Sequence, residues 1–261
     1  MSKQRLILVS FDVEEFDMPL EYQHAIGVAA QMRVGYEGLQ KMMQVIDAQS
    51  SFTGTFFTTA NFANEYASDI RQISEKHEIA SHTYFHTDFE VPHLLQSRAK
   101  LEEITGKPVY GLRMPRMRPV AMKDVEEAGY LYDSSVNPTW IPGRYDNRHK
   151  PRTLYREEGM LRLPASVSPR WRIPLFWLLF KNTPYTVFKM LTLQTLRNDG
   201  YVCLYFHPWE FIDIRGYGLP GYTRRWCGEQ LRDRLDRLLK DLATEGEFAT
   251  IYDMLQQQRT V

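Results

Sequence analysis

At 261 residues and 30.7 kDa the chain is long enough for one large core, and α/β barrels of this size are commonly undivided, so a single domain over 1–261 is expected. Its 32 basic and 32 acidic residues cancel and its isoelectric point falls near 7.1, so no global field draws it to nucleic acid or anionic lipid, although charge can still collect locally. Two cysteines, Cys203 and Cys227, exclude a disulfide framework and suit a reducing compartment.

The opening Met-Ser-Lys-Gln-Arg runs into strand-like residues without the apolar region and small-residue cleavage site of a secretory signal, which sets the expectation of a cytoplasmic location. Arg5 to Phe11 is an aliphatic run that breaks into Asp12, Glu14, Glu15 and Asp17, as a parallel strand buried on both faces would. Leu39, Met42, Met43 and Ile46 recur at helical spacing and predict a helix over Tyr36 to Ala48. Thr53 to Thr59 reads as a strand, about Asn61 to Lys76 as a helix, and Glu78 to Ser81 as a third strand that delivers His82 and His86. A helix from Pro92 to about Ile104 is stopped by Gly106-Lys107-Pro108.

The cycle then repeats. Val109 to Met114 reads as a strand, Ala121 to Ala128 as a helix, and Tyr130 to Val136 as a strand ending in Asp133-Ser134-Ser135. Asn137 to Glu158 reads as a long loop, so insertions are expected at about 137–160 and, from its Gly- and Arg-rich composition, 212–226. Leu161 to Ala165 is a further strand, Pro174 to Leu196 a helix, Tyr201 to Phe206 a buried strand, Gly228 to Thr244 an amphipathic helix and Phe248 to Ile251 a last strand. Strand alternates with helix throughout, which predicts an α/β fold with parallel strands, a barrel rather than an open sheet given about seven units.

The segment 173–193 is apolar almost all round, but Lys181, Asn182 and Pro184 interrupt it, so it falls short of the ~18–20 apolar residues of a membrane span. It reads as a buried barrel helix. The alternatives are a membrane-surface contact flanked by Arg170 and Arg172, which would make the protein peripheral to the inner membrane, and an interface between copies in a homo-oligomer.

Reactive side chains collect at the carboxyl ends of the predicted strands: Asp12 and Glu14, His82 and His86, Arg113, Asp133 and His207. In a parallel barrel those ends share one rim, so residues remote in sequence meet in one mouth. His82 and His86, four apart and so about one helical turn from each other, are spaced to reach one divalent ion, and Glu14 or Asp12 could complete a His-His-carboxylate set open to water on Zn²⁺ or a similar ion. The other carboxylate is then free to act as a base, and His207 is suited to protonate a leaving group.

Phe11-Asp12-Val13-Glu14, Thr53-Gly54-Thr55-Phe56-Phe57, His82-Thr83-Tyr84-Phe85-His86, Gly111-Leu112-Arg113-Met114-Pro115, Tyr132-Asp133-Ser134-Ser135 and His207-Pro208-Trp209-Glu210 resemble, in order, the motifs of the polysaccharide deacetylases, the NodB-homology group of carbohydrate esterase family four. The resemblance implies a distorted parallel (β/α)7 barrel of the NodB-homology type and metal-dependent removal of an N- or O-acyl group, usually acetyl, from an amino-sugar glycan or a lipid-linked glycan precursor. By motif, Asp12 resembles the general base, His82 and His86 the metal ligands, His207 the general acid and Arg113 the residue that fixes the catalytic carboxylate, with backbone N–H groups near Pro115 and Arg116 facing the oxyanion.

Many members have adjacent aspartates in the first motif, whereas Val13 separates Asp12 from Glu14 here, as in the branch of peptidoglycan-deacetylase-like and allantoinase-like proteins. Residues two apart on a strand face the same side, so Glu14 is assigned to the metal and Asp12 to base work, with Glu15 the weaker ligand. Asp133, Trp209 and Arg116 complete the expected site as substrate-binding residues. Two rival functions share the scaffold: an amidohydrolase of the allantoinase or cyclic-imide type, and a non-catalytic glycan- or partner-binding protein.

Overall fold

β1 (Leu6–Val13) is buried along its whole length, and the structure, a computed structural model that describes residues 5–259, is built outward from it. β2 (Thr55–Thr58), β3 (Glu78–Ser81), β4 (Gly111–Leu112), β5 (Tyr132–Asp133) and β6 (Met160–Arg162) follow on one side and β7 (Tyr201–Phe206) pairs on the other, all parallel. Tyr155–Glu157 adds an antiparallel strand at the β6 edge, and Glu247–Phe248 pairs with the start of β1. The sheet curls on itself. Its two ends are joined by the Ser166 N–H to the Cys203 carbonyl at 2.9 Å and the Cys203 N–H to Ser166 Oγ at 2.8 Å, in place of a full ladder. The seven parallel strands thus make the expected distorted barrel. The reading of 1–261 as one unit includes residues 1–4 and 260–261, which lie outside the described residues.

Two-residue periodicity sorts the side chains. Ile7, Val9, Phe11 and Val13 pack under the outer helices, while Leu6 and Leu8 join Phe57, Ala80, Tyr132, Leu163 and Cys203 within the barrel. The inward parity continues through Ser10 and Asp12 to Glu14, and on β7 through Tyr201, Cys203 and Tyr205 to His207. The barrel therefore carries an apolar layer below and a polar one at its carboxyl rim.

Several boundaries depart from the sequence reading for local reasons. The first long helix spans Val28–Asp47, eight residues earlier than expected, because Gly35 and Gly38 are close-approach positions and not breakers. A Cβ on Gly35 would lie 2.5 Å from the Glu14 carbonyl oxygen, and one on Gly38 would lie 2.3 Å from that of Pro208, so this helix presses directly on the backbone that presents the site. The helix expected over Asn61 to Lys76 is two, Ala60–Glu65 and Ala67–Ser74, broken at Tyr66. The apolar stretch likewise splits into Trp177–Asn182 and Tyr185–Asp199, because Pro184 holds Thr183 extended.

β4 and β5 each pair over two residues, fewer than expected. The 137–160 insertion contains a hairpin, Trp140–Ile141 with Tyr145–Asp146. Ile251, expected in a strand, instead starts a helix, Ile251–Arg259, whose Ile251, Met254 and Leu255 close the barrel floor. Within 173–193, Leu175, Trp177, Phe180, Phe188 and Leu191 are buried, whereas Val187 and Met190 face outward. Among the described residues no helix is long and apolar enough to cross a membrane.

Glu78, at the floor, accepts from Thr55 Oγ1 at 2.7 Å, Tyr132 OH at 2.8 Å and the Tyr252 N–H at 3.1 Å, yet burial pushes its carboxyl up to about 7 from 4.5. The folded state therefore holds a proton that the unfolded chain releases. The penalty for ionising it is absent below about pH 4.5, grows as pH rises, and is complete above about pH 7. Glu78→Gln is expected to flatten this fall by on the order of 2 kcal/mol, partial exposure screening some of the shift. Urea midpoints of the two proteins across that window check it, and parallel curves would show that Glu78 does not set the slope.

Candidate active site

The rim is assembled from strand exits. Asp12 and Glu14 share the inward side of β1 and its extension, as strand alternation requires. Arg113 follows β4 and is wholly buried, so its guanidinium must be neutralised from within. Its Nη1 donates to Asp12 Oδ1 at 2.6 Å and Ser10 Oγ at 2.9 Å, its Nε to the Ser134 carbonyl at 3.2 Å and its Nη2 to Ser134 Oγ at 3.0 Å. The group also lies 4.0 Å from the Phe57 ring centroid. Asp12 is thereby held in one orientation with its other oxygen towards the cleft, 3.9 Å from His207 Nε2.

His82 and His86 meet at a ring separation of 5.6 Å, though not by one turn of helix as their spacing suggested. Residues 82–91 form no helix. Thr83 takes a left-handed φ of +64°, and its carbonyl and that of Tyr84 receive the Ala60 and Asn61 N–H groups, which pins the bend that returns His86 beside His82. His82 Nδ1 lies 2.7 Å from the Arg113 carbonyl and must donate to it, so Nε2 is the nitrogen turned towards Glu14. His86 Nδ1 is 2.7 Å from Asp17 Oδ1 and has the same polarity. Both Nε2 atoms converge on Glu14 Oε2, at 3.1 and 2.9 Å.

Ligand atoms of Glu14, His82 and His86 lie within 4.8 Å of one another, the one such group among the described residues. One carboxylate oxygen, two imidazole nitrogens in fixed tautomers and hydrogen-bonded supports behind each ring fit a divalent cation of the zinc type, with a side left open to the cleft. Electrostatics agree. Burial works against ionisation of Glu14, but His86 and His82 hold its carboxyl well below the usual range. His86, despite burial, is pushed up to about 10 by Glu14 and Asp17.

His207 leaves β7 with its ring stacked on Trp209 at 4.8 Å and met edge-on by Trp177 at 5.1 Å. Its Nδ1 lies 3.1 Å from Glu210 Oε1, whose other oxygen is 3.3 Å from the buried Lys181 ammonium. Burial lowers its proton affinity, but Glu210, Glu14 and Asp12 outweigh that and raise it.

The cleft measures about 290 Å³. Asp12, Glu14, His82, His86 and His207 form its floor, and Met18, Arg116, Ile141, Pro142, Tyr145, Phe176, Leu178 and Tyr222 are among its walls. Both insertions therefore reach the mouth. Arg116, at φ +56°, lines it while pairing with Asp17 at 3.0 Å and with Glu21, so it reaches the site through carboxylates already present.

Two expected substrate contacts lie elsewhere. Asp133 is fully buried, 2.8 Å from Arg162 Nε and bonded to Ser135, and Trp209 is 1% exposed with its indole N–H on Glu14 Oε1 at 3.0 Å. Both support the site from behind and neither faces the cleft. Glu15 has the opposite strand parity and accepts from Thr59 Oγ1 at 2.7 Å, away from the cluster. Sequence reasoning missed the supporting roles of Asp17, Glu210 and Lys181. Glu210 sat within a quoted motif, and Lys181 was read only as an interruption of an apolar run.

Residues 35–131 match the polysaccharide deacetylase family model. The fold is shared with a Pseudomonas aeruginosa PAO1 protein described as a polysaccharide deacetylase (17% identity, 97% of this chain, 91% of that one, TM-score 0.67) and with one so described from Mycobacterium smegmatis (19%, 100% and 92%, 0.66). It is also shared with the PuuE allantoinase (18%, 100% and 92%, 0.65). No curated protein matches the chain in sequence. The resemblance read from the motifs thus agrees with a family match over 35–131, which takes in His82, His86 and Arg113, and with the fold of the whole.

Proposed function

We propose that the protein is a metal-dependent hydrolase that removes an N- or O-acetyl group from an amino-sugar glycan or lipid-linked glycan precursor, with 1–261 acting as one domain. The observation that carries this reading is the convergence of two imidazoles on one oxygen of Glu14, with the Arg113-held Asp12 and His207 beside it in the same cleft. Glu14, His82 and His86 would hold a divalent cation, zinc by the donor set, which when bound supplies Lewis-acid polarisation and acidifies water towards neutrality.

The chain's own groups account for the proton traffic. Asp12, fixed by Arg113, takes a proton from the attacking water as the new C–O bond forms on the acyl carbon. Met117 N–H is engaged by the Met114 carbonyl at 3.0 Å, and the oxyanion donor of this reading is the Arg116 N–H, a contribution of roughly 2.7–4 kcal/mol when well placed. His207 gives its proton to the departing nitrogen or oxygen as the acyl bond breaks, and acetate and the free amine or alcohol leave. Glu210 accepts the Nδ1 proton throughout and so keeps Nε2 aimed at the cleft.

Zinc-loaded protein incubated with acetylated amino-sugar oligomers is expected to release acetate and to leave allantoin intact. The allantoinase of like fold makes ring opening the informative control. Ring opening without acetate release would transfer the site to the amidohydrolase reading. Full metal loading with neither reaction would favour a binding protein.

A further inference from the structure

Three loops around the cleft turn tryptophans outward. Trp140 on the hairpin is 54% exposed, Trp171 is 74% and Trp226 is 41%. Each has a guanidinium near its ring, Arg148 at 5.6 Å, Arg170 at 5.5 Å and Arg225 at 5.8 Å. The sequences are compact: Arg170-Trp171-Arg172 and Arg224-Arg225-Trp226. Arg172 at φ +51° and Trp226 at φ +53° both sit in left-handed backbone that side chains other than glycine avoid, so these outward turns are held against local preference.

The loops adjoin the same opening. Thr139 Oγ1 donates to the Arg172 carbonyl at 2.7 Å and Arg172 Nη1 to the Pro138 carbonyl at 3.0 Å, tying the hairpin to the second loop. Asn182 Nδ2 donates to the Tyr222 carbonyl at 2.8 Å, tying the third to the helix Trp177–Asn182 that walls the cleft. Two of the three tryptophan segments carry charge of one sign, while exposed Asp146 and Asp213 elsewhere in these loops are paired with Arg148 and Arg215. Residues 166–175 and 221–228 hold four arginines and no acid, in a chain with 32 residues of each sign. Among the described residues no carboxylate lies within ion-pair distance of Arg170, Arg172, Arg224 or Arg225, whereas Arg144, Arg148 and Arg215 are all paired.

We propose that this face docks on an anionic phospholipid bilayer, the indoles at headgroup depth and the Arg170 and Arg225 guanidiniums on lipid phosphates, so that the cleft opens at the membrane surface. Exposed tryptophan beside unpaired arginine suits an interface that is apolar on one side and negatively charged on the other. A neutral glycan would use the indoles but leave the arginines idle. The apolar walls at Ile141, Pro142, Phe176 and Leu178 continue the same character into the cleft. Docking needs no turnover, so this proposal stands or falls apart from the deacetylase reading.

The test is co-sedimentation of the full chain with vesicles of phosphatidylcholine, alone or mixed with phosphatidylglycerol. Binding to the mixed vesicles is expected to be at least about tenfold tighter and to weaken with added salt. Trp171→Ala with Trp226→Ala, and separately Arg170→Gln with Arg225→Gln, should each cut it by about tenfold while leaving the circular dichroism melt in place. Equal or absent binding to the two vesicle types would overturn the proposal, as would double variants that bind undiminished. Preferential binding to heparin over mixed vesicles would also overturn it, pointing to a soluble polyanion as the occupant.

Discussion

Asp12→Asn is expected to lower kcat by on the order of 10³-fold while leaving bound metal at the native level. The amide keeps the shape of the carboxylate and can still accept from Arg113 Nη1, now 2.6 Å from Asp12 Oδ1, but it cannot take a proton from water. Because the Arg113 guanidinium is wholly buried, the substitution also strips it of its countercharge, and a fall in stability of up to about 3–5 kcal/mol is expected alongside. Metal analysis, a thermal melt and acetate release measured below the new melting temperature separate the two effects. A folded, metal-loaded Asp12→Asn protein with native turnover would remove Asp12 from the base role.

Glu14→Gln should show the reverse pattern, with metal and activity lost together. Glu14 offers the one anionic oxygen on which both Nε2 atoms converge, so its neutralisation is expected to weaken divalent-cation affinity by on the order of 10²-fold or more. The native affinity should itself depend on pH. His86 is pushed up to about 10 in the metal-free protein, so a cation must displace its proton, and affinity should rise about tenfold per unit between roughly pH 6 and 8. Calorimetric titration in buffers of different ionisation heat would count that proton. Native cation affinity in Glu14→Gln would show that the ion, if any, is held elsewhere.

Much of the site was legible because strand alternation and motif order are local properties. Asp12 and Glu14 on one side of β1, His82 at the exit of β3, Arg113 at that of β4 and His207 at that of β7 follow from where each apolar run stops. What was misread depended on distant neighbours. The His82–His86 pair looked like a helical turn, yet the left-handed Thr83 and its contacts with Ala60 and Asn61 bring the rings together. Asp133 and Trp209 were placed at the mouth by motif position, but Arg162 and Glu14 claim their polar atoms from behind. The first long helix starts earlier than its apolar spacing showed, and only the fold sets the backbone of Glu14 and Pro208 against Gly35 and Gly38.

The order of apolar runs and strand-end acids and imidazoles determined the α/β class, the parallel strands and the members of the cation cluster, because burial parity repeats every two residues and is written in the chain itself. Which nitrogens of His82 and His86 turn to Glu14, that Lys181 and Glu210 stand behind His207, and that Arg170 and Arg225 have no carboxylate partner among the described residues were decided only in three dimensions. Those properties depend on which polar atoms find partners within about 3 Å, and the partners come from parts of the chain up to about 200 residues away.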